Sequence, residues 1–151
     1  MRKFEKVRDN AIKYDANDVV MPIRATYNSA GYDFFSPIDI VIPAGKAEII
    51  WTNIKVECNS DEFLMLAVTS GMGKRGLILS NGIGVVDSDY YSNESNDGNI
   101  GFRLHNLGEN DYCITKGEKI GQGIFLKYLH ADIDNCKADV RVGGFGSTDR
   151  K

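Results

Sequence analysis

The run from Phe63 to Val86, FLMLAVTSGMGKRGLILSNGIGVV, decides the fold class. It opens on a continuous apolar stretch, Phe63 to Val68, short enough for a strand buried on both faces. Two shorter apolar pieces follow, Leu77-Ile78-Leu79 and Gly84-Val85-Val86, set off by Gly, Ser and Asn. Outward from this run the same signature repeats. Ile38 to Ile42 runs up to a Pro43-Ala44-Gly45 turn, and Ile49 to Cys58 alternates apolar and polar in its second half. Ile100 to Asn106 alternates, as do Tyr112-Cys113-Ile114 and Ile124 to Tyr128. No twelve-residue window places apolar side chains at i, i+3, i+4 and i+7 on one clean stripe, so little helix is expected. Short strands at intervals of roughly 8 to 15 residues, with Gly, Asn and Asp between them, predict an all-β chain, a jelly-roll-like barrel. The first twenty residues are polar and weakly patterned. No repeat or linker divides the chain, so one domain over 1–142 is expected, with residues 143–151 as a glycine-rich arm.

Composition agrees. The chain has 151 residues, 42% of them hydrophobic and 26% charged, as in a globular domain. Eighteen Lys and Arg against twenty-one Asp and Glu give a net charge of −3, which argues against general nucleic-acid binding. No apolar run approaches the ~18 residues of a membrane span. The opening MRKFEKVRDNAIKYD lacks the apolar region of a secretion signal, so a cytoplasmic protein is expected. Cys58, Cys113 and Cys136 are widely spaced and form no CxxC pair, so they read as reduced, buried small hydrophobes. His105 and His130 have no Glu or His partner at ligand spacing.

Glycine is in excess: 16 residues, against a usual share of about 7%. Eleven fall in three segments: residues 71–84, residues 117–123 and residues 143–146. In each, glycine neighbours Ser, Thr, Lys, Arg or Gln, side chains that bond phosphate oxygens. Glycine there lets backbone N–H groups face an anion without a Cβ in the way. The segments match neither GxxxxGK[ST] nor GxGxxG. The stretch Gly84-Val85-Val86-Asp87-Ser88-Asp89-Tyr90 ends an apolar strand on a carboxylate. Such a group at the mouth of a pocket orients a water as general base or binds Mg²⁺.

Taken in order, these segments resemble the five motifs of the trimeric all-β dUTP diphosphatases, the dUTPases. Pro22 to Thr26 with Ala30-Gly31-Tyr32-Asp33 is similar to the first, and Thr69-Ser70-Gly71 to the second. Asn81 through Gly84 to Tyr90 is similar to the third, Gly117 to Gln122 to the fourth, and Gly143 to Thr148 to the fifth. The resemblance implies hydrolysis of dUTP to dUMP and pyrophosphate with Mg²⁺, which keeps uracil out of DNA and supplies dUMP for thymidylate synthesis. It implies Asp87 as the base that directs water at the α-phosphorus, and Tyr90 as a platform that stacks on deoxyribose and excludes a 2′-hydroxyl. It implies that Asn81 and the backbone from Gly82 through Gly84 to Val86 read uracil. Asp33 would hold a metal-bound water. Ser70, Gly71 and Gln122 would contact phosphates, and Arg141 would contribute positive charge. Phe145 would cover the base, and Gly146, Ser147 and Thr148 would close over the terminal phosphate. Sites shared among three subunits, hence a homotrimer, are implied as well.

The sequence also departs from the motifs it resembles. Thr69 stands where the second motif usually has an arginine, and Lys74 or Arg75 would have to supply the missing charge. Residues 91–99 replace a short Arg-Gly-Glu turn. These departures motivate one alternative, a catalytically weak, dUTP-binding regulatory protein with a protein partner; a second, a relative of the dCTP deaminases of the same fold, is disfavoured by the Asp87-to-Tyr90 hairpin and the GGFGST arm.

Overall fold

A computed structural model describes residues 1–14 and 19–136, and every strand pair in it is antiparallel. Four strands, β2 (Tyr32–Phe35), β11 (Lys119–Lys127), β6 (Glu62–Ala67) and β8 (Gly84–Asp87), form the largest sheet in that order. A second sheet orders β4 (Ala47–Trp51), β9 (Gly101–Asn106) and β7 (Leu77–Leu79). Two pairs complete the set, β1 (Lys3–Lys6) with β5 (Ile54–Glu57) and β3 (Ile40–Ile42) with β10 (Tyr112–Ile114). The one α-helix among the described residues is a single short piece, α1 (Ser70–Lys74). The protein is all-β, as its patterning predicts. Its hydrogen bonding gathers the strands into separate sheets, with no continuous ring of pairing among the described residues.

The core lies between the sheets. Strand alternation sends Leu64 and Leu66 inward from β6, Phe102 and Leu104 from β9, Ile50 from β4 and Phe34 from β2, all under 5% exposed. Each such side chain contributes about 1.5–3 kcal/mol by leaving water. Glycine answers to this packing in β11. A Cβ on Gly121 would overlap the Phe102 ring, so that residue is small for the core's sake. The same run therefore holds a packing glycine inside a segment read as ligand-facing.

Three expectations are corrected. Strand β6 is not buried on both faces: Glu62, Leu64 and Leu66 are buried, while Phe63, Met65 and Ala67 are only half-buried. The stretch Ile49 to Cys58 is two strands. Asn53 takes a left-handed φ of 60° and turns the chain between β4 and β5. Its amide N–H donates to Asn99 Oδ1 at 2.9 Å, its side chain accepts from Lys13 N at 2.8 Å, and its carbonyl accepts from Val7 N at 3.1 Å. None of the three cysteines is in a disulfide, but Cys113 and Cys136 are exposed and Cys58 is half-buried. The polar N-terminus also hides a strand. In β1 only Phe4 is strongly apolar, and it is held in place by ring contacts with Tyr32, Phe34 and Phe125.

Residues 91–99 form a bracket rather than a loose loop. Asn93, Asp97 and Asn99 are buried. Asp97 accepts from Arg8 N at 2.7 Å and from Lys55 Nζ at 3.0 Å, tying the loop to the N-terminal segment and to β5. Burial pushes the Asp97 carboxyl up, and the Arg8 amide and Lys55 ammonium more than reverse this, leaving it below its ordinary value. A lowered folded pKa means stability that is complete above the unfolded carboxylate range near 4 and lost as pH falls through the folded value. Asp97→Asn should therefore cost about 1–3 kcal/mol at pH 6 in urea unfolding. That cost should shrink below about pH 4. A cost that stays constant down to pH 2.5 would show that the carboxylate's charge is not what matters.

Candidate functional site

One cleft of about 430 Å³ opens on the outer face of the four-stranded sheet, and Asp87 lies in its wall. The position follows from strand chemistry. Val86 and Gly84 turn inward, Val86 into the core and Gly84 against Leu66, so Val85 and Asp87 face outward. Asp87 is the last residue of β8, opposite Phe63, and it precedes a 3₁₀ turn over Ser88–Tyr90. Phe63, Ile83, Val85 and Tyr128 give the cleft an apolar lining, with Asp87 and Asp89 as its acids.

Above β8 the chain turns at Asn81 and Gly82. Gly82 N donates to Leu79 O at 2.9 Å, Ile83 N to Asn81 O at 2.9 Å, and Gly82 takes a φ of 76°. Strand β8 is an edge strand, so one side of its backbone has no strand partner among the described residues. Val86 offers only its backbone to that edge, because its side chain is 7% exposed. Tyr90 does not line the cleft. It is 6% exposed, and its hydroxyl donates to Asn99 O at 2.8 Å.

A second group collects elsewhere on the same sheet. Gln122 of β11 stands in register with Asp33 of β2 on one side and Ala67 of β6 on the other. Directly opposed residues share a face, so Asp33, Gln122 and Ala67 form one outer row. Gln122 Nε2 donates to Val68 O at 3.3 Å. Lys119 Nζ sits 2.7 Å from Asp33 Oδ2. Ile23 brackets Asp33 through two backbone bonds of 2.7 and 3.3 Å. Gly31 is small because a Cβ there would collide with the Gln122 amide. Just past the row, Ser70 and Gly71 are exposed in the first turn of α1, where Thr69 Oγ1 accepts from Met72 N at 3.4 Å. Thr69 thus acts as a helix cap. Arg75 is drawn away over the Tyr112 ring at 5.8 Å.

The two groups do not meet within one chain. Asp87 pairs beside Phe63, four residues down β6 from Ala67, which is about 13 Å along the strand. Strand β2 lies three strand spacings from β8, about 14 Å across. Arg141, Phe145, Gly146, Ser147 and Thr148, with the whole arm, lie outside the described residues. Sequence reasoning gave Lys119 no specific partner and passed over the asparagines at 93 and 96. An ion pair between strands far apart in sequence leaves no local signal. The density of Asn in 91–99 was the visible hint of a polar network.

Between them the two groups supply a carboxylate in a cleft, a free strand edge beside a glycine turn, and a polar row with one lysine. The family model for dUTPase matches residues 17–149. The chain is 37% identical over 150 residues to the deoxyuridine 5′-triphosphate nucleotidohydrolase of Lactococcus lactis, covering 98% of this chain and 97% of that one. It is 33% identical over 142 residues to the enzyme of the same name from Clostridium tetani, covering 91% and 94%. Its fold is similar to the crystal structure of dUTPase from Streptococcus mutans, with a TM-score of 0.73, 32% identity, and coverage of 85% and 98%.

Gly31→Ala tests the tight packing of the polar row. A structure of the variant should show Gln122 turned away from Val68 O, at a cost of about 1 kcal/mol in stability. An unmoved Gln122 would contradict the contact.

Proposed function

The chain belongs to the dUTPase family, and from that premise we propose that it hydrolyses dUTP to dUMP and pyrophosphate with Asp87 as general base. The observation that carries this reading is the half-buried Asp87 carboxylate in the wall of the cleft, at the end of an edge strand. A carboxylate there takes a proton from the water that attacks the α-phosphorus, and the departing pyrophosphate carries the broken bond's electrons. The open edge of β8 and the Asn81 turn suit the donor and acceptor pattern of uracil. Ser70, Gly71 and Gln122 suit phosphate oxygens. Tyr90 is read as the boundary of the sugar pocket. Arg141 and the arm from Phe145 to Thr148 are assigned their roles by family resemblance.

Among the described residues no three His, Cys, Asp or Glu groups gather as a metal cage. That suits Mg²⁺, which keeps several waters and is held by one or two carboxylates together with substrate phosphates. Asp33 is the residue proposed to hold one of those waters, with the Gln122 amide alongside. When bound, the ion supplies neutralising charge to the triphosphate. Asp33 accepts from Lys119 and so keeps its carboxylate aimed along the row.

The distance between Asp87 and the Asp33–Gln122 row is the argument for a shared site. A nucleotide touching both must lie between copies of the chain, with Asp87 from one and the polar row from another. The outer face of the sheet supports self-association. Ile83 is 51% exposed, Val85 56% and Leu126 38%, and Met65 and Phe63 lie between them. We read the assembly as a homotrimer, in keeping with the family.

Three experiments test this. Incubation with Mg²⁺ and dUTP, dCTP, dTTP or UTP should release pyrophosphate from dUTP alone. Asp87→Asn should lower kcat by about 10²- to 10⁴-fold while dUTP binding persists. Tight binding of dUTP without turnover would instead favour the regulatory alternative, and conversion of dCTP to dUTP the deaminase. Separately, Val85→Lys should shift the protein to monomer in sedimentation equilibrium and abolish turnover together with assembly. A fully active monomer would remove the shared site.

A further inference from the structure

The geometry points to Asn96, assisted by Asn93, as a positioning residue that locks Tyr90 and so sets the preference for deoxyribose over ribose. This rests on the dUTP hydrolysis proposed above. Tyr90 closes the 3₁₀ turn that begins one residue after Asp87, and the function proposed above reads it as the boundary of the sugar pocket. The Tyr90 hydroxyl is committed in both directions. It accepts from Asn96 Nδ2 at 2.7 Å and donates to Asn99 O at 2.8 Å. The Asn96 amide cannot be turned over without loss. Its oxygen accepts from Asn93 Nδ2 at 2.8 Å and from Gly98 N at 3.1 Å, and a flip would set donors against donors.

Asn93 grips the same tyrosine from behind. Its Nδ2 donates to Tyr90 O at 2.8 Å, while its Oδ1 accepts from Ser95 N at 3.0 Å and Asn96 N at 3.2 Å. Tyr90 is thus held at its hydroxyl and at its carbonyl by two side chains of one loop. The loop itself is fixed. Asp97 binds Arg8 and Lys55, and Asn99 Nδ2 donates to Ala11 O at 3.1 Å. Gly98, at a φ of 81°, packs so tightly that a Cβ would lie 2.8 Å from Tyr90 O. The ring therefore has nowhere to move when a larger sugar arrives. Excluding one added hydroxyl requires a wall that does not yield, and such walls are built from side chains locked by their own supporting bonds. The segment 91–99 is that support.

The test compares parent, Asn96→Ala, Tyr90→Phe, the double variant, and Glu94→Ala on the exposed side of the loop. Each is assayed as the full chain for pyrophosphate release from dUTP and from UTP. In Asn96→Ala the ratio of kcat/KM for dUTP over UTP should fall about tenfold, the loss of a bond worth about one power of ten. The fall should come mainly from a rise in kcat/KM for UTP, through a lower KM, with kcat for dUTP little changed. General weakening of the fold would lower both substrates alike and leave the ratio unchanged. The double variant should be no less selective than Tyr90→Phe alone, because both changes break the same bond. Glu94→Ala should match the parent. If Asn96→Ala does not fold, Asn96→Asp carries the same expectation, since it keeps the acceptor toward Asn93 and Gly98 and loses the donor toward Tyr90. An unchanged ratio in a parent that turns over dUTP, or additive losses in the double variant, overturns the role of Asn96 and leaves the hydrolase reading standing. A parent that releases no pyrophosphate from dUTP overturns both.

Discussion

The register of β6 against its two neighbours is the constraint on which the rest of the structure depends. Ala67 lies opposite Gln122, and Phe63 lies opposite Asp87. Because side chains alternate with period two, a slip of one residue would exchange Leu64 and Leu66 for Phe63 and Met65 in the core. The same register fixes where chemistry sits. It sets the polar row at one end of the strand and the carboxylate at the other. Core packing and site layout are therefore one decision, made by the same hydrogen bonds.

Around Phe63, Met65 and Val85 the outer face of that sheet is apolar where a solvated face would be polar. Val85 and Ile83 are more than half exposed, beside Phe63 and Met65. An antiparallel sheet with one wet face normally alternates apolar and polar residues. Here both faces are apolar, which is why β6 reads as a continuous apolar run in sequence. The run from Phe63 to Val68 carries two instructions at once: one set of side chains for the chain's own core, and another for a surface that wants to be covered. On the proposed reading, a site divided between copies and an apolar face that meets another copy both follow from this one strand.

The polar bracket after Tyr90 shows a different economy. Asn53, Asn93, Asp97 and Asn99 are buried together, and their bonds run to residues far along the chain, including Arg8, Ala11 and Lys13. Buried polar groups are tolerable only when each is satisfied, and among the described residues no buried side-chain N or O atom lacks a partner. The network ties the N-terminal segment, the bend at Asn53 and the turn after Asp87 into one unit. Its cost in desolvation is offset by fixing three parts of the fold at once.

Much of this was legible in the chain itself. Period-two alternation and short apolar runs separated by Gly and Asn gave the all-β class, and most strands fell where the patterning put them. Motifs in order gave the candidate site, including Asp87, Gln122 and Asp33. What misled was any position whose side chain answers to a distant partner. Strand β1 leaves no apolar pattern because Phe4 alone carries its packing, and Gly121, small for the sake of Phe102, sits among residues of ligand-facing type. Asn53 broke a predicted single strand because its left-handed turn is held by Asn99, forty-six residues away. By itself the sequence determined that the chain is built of short extended segments and which residue types the candidate site offers, because those depend on local periodicity and local chemistry. Only the tertiary structure decided which face each strand presents, how far Asp87 stands from Gln122, and what holds Tyr90. These depend on register and on bonds between residues distant in sequence, which no local pattern encodes.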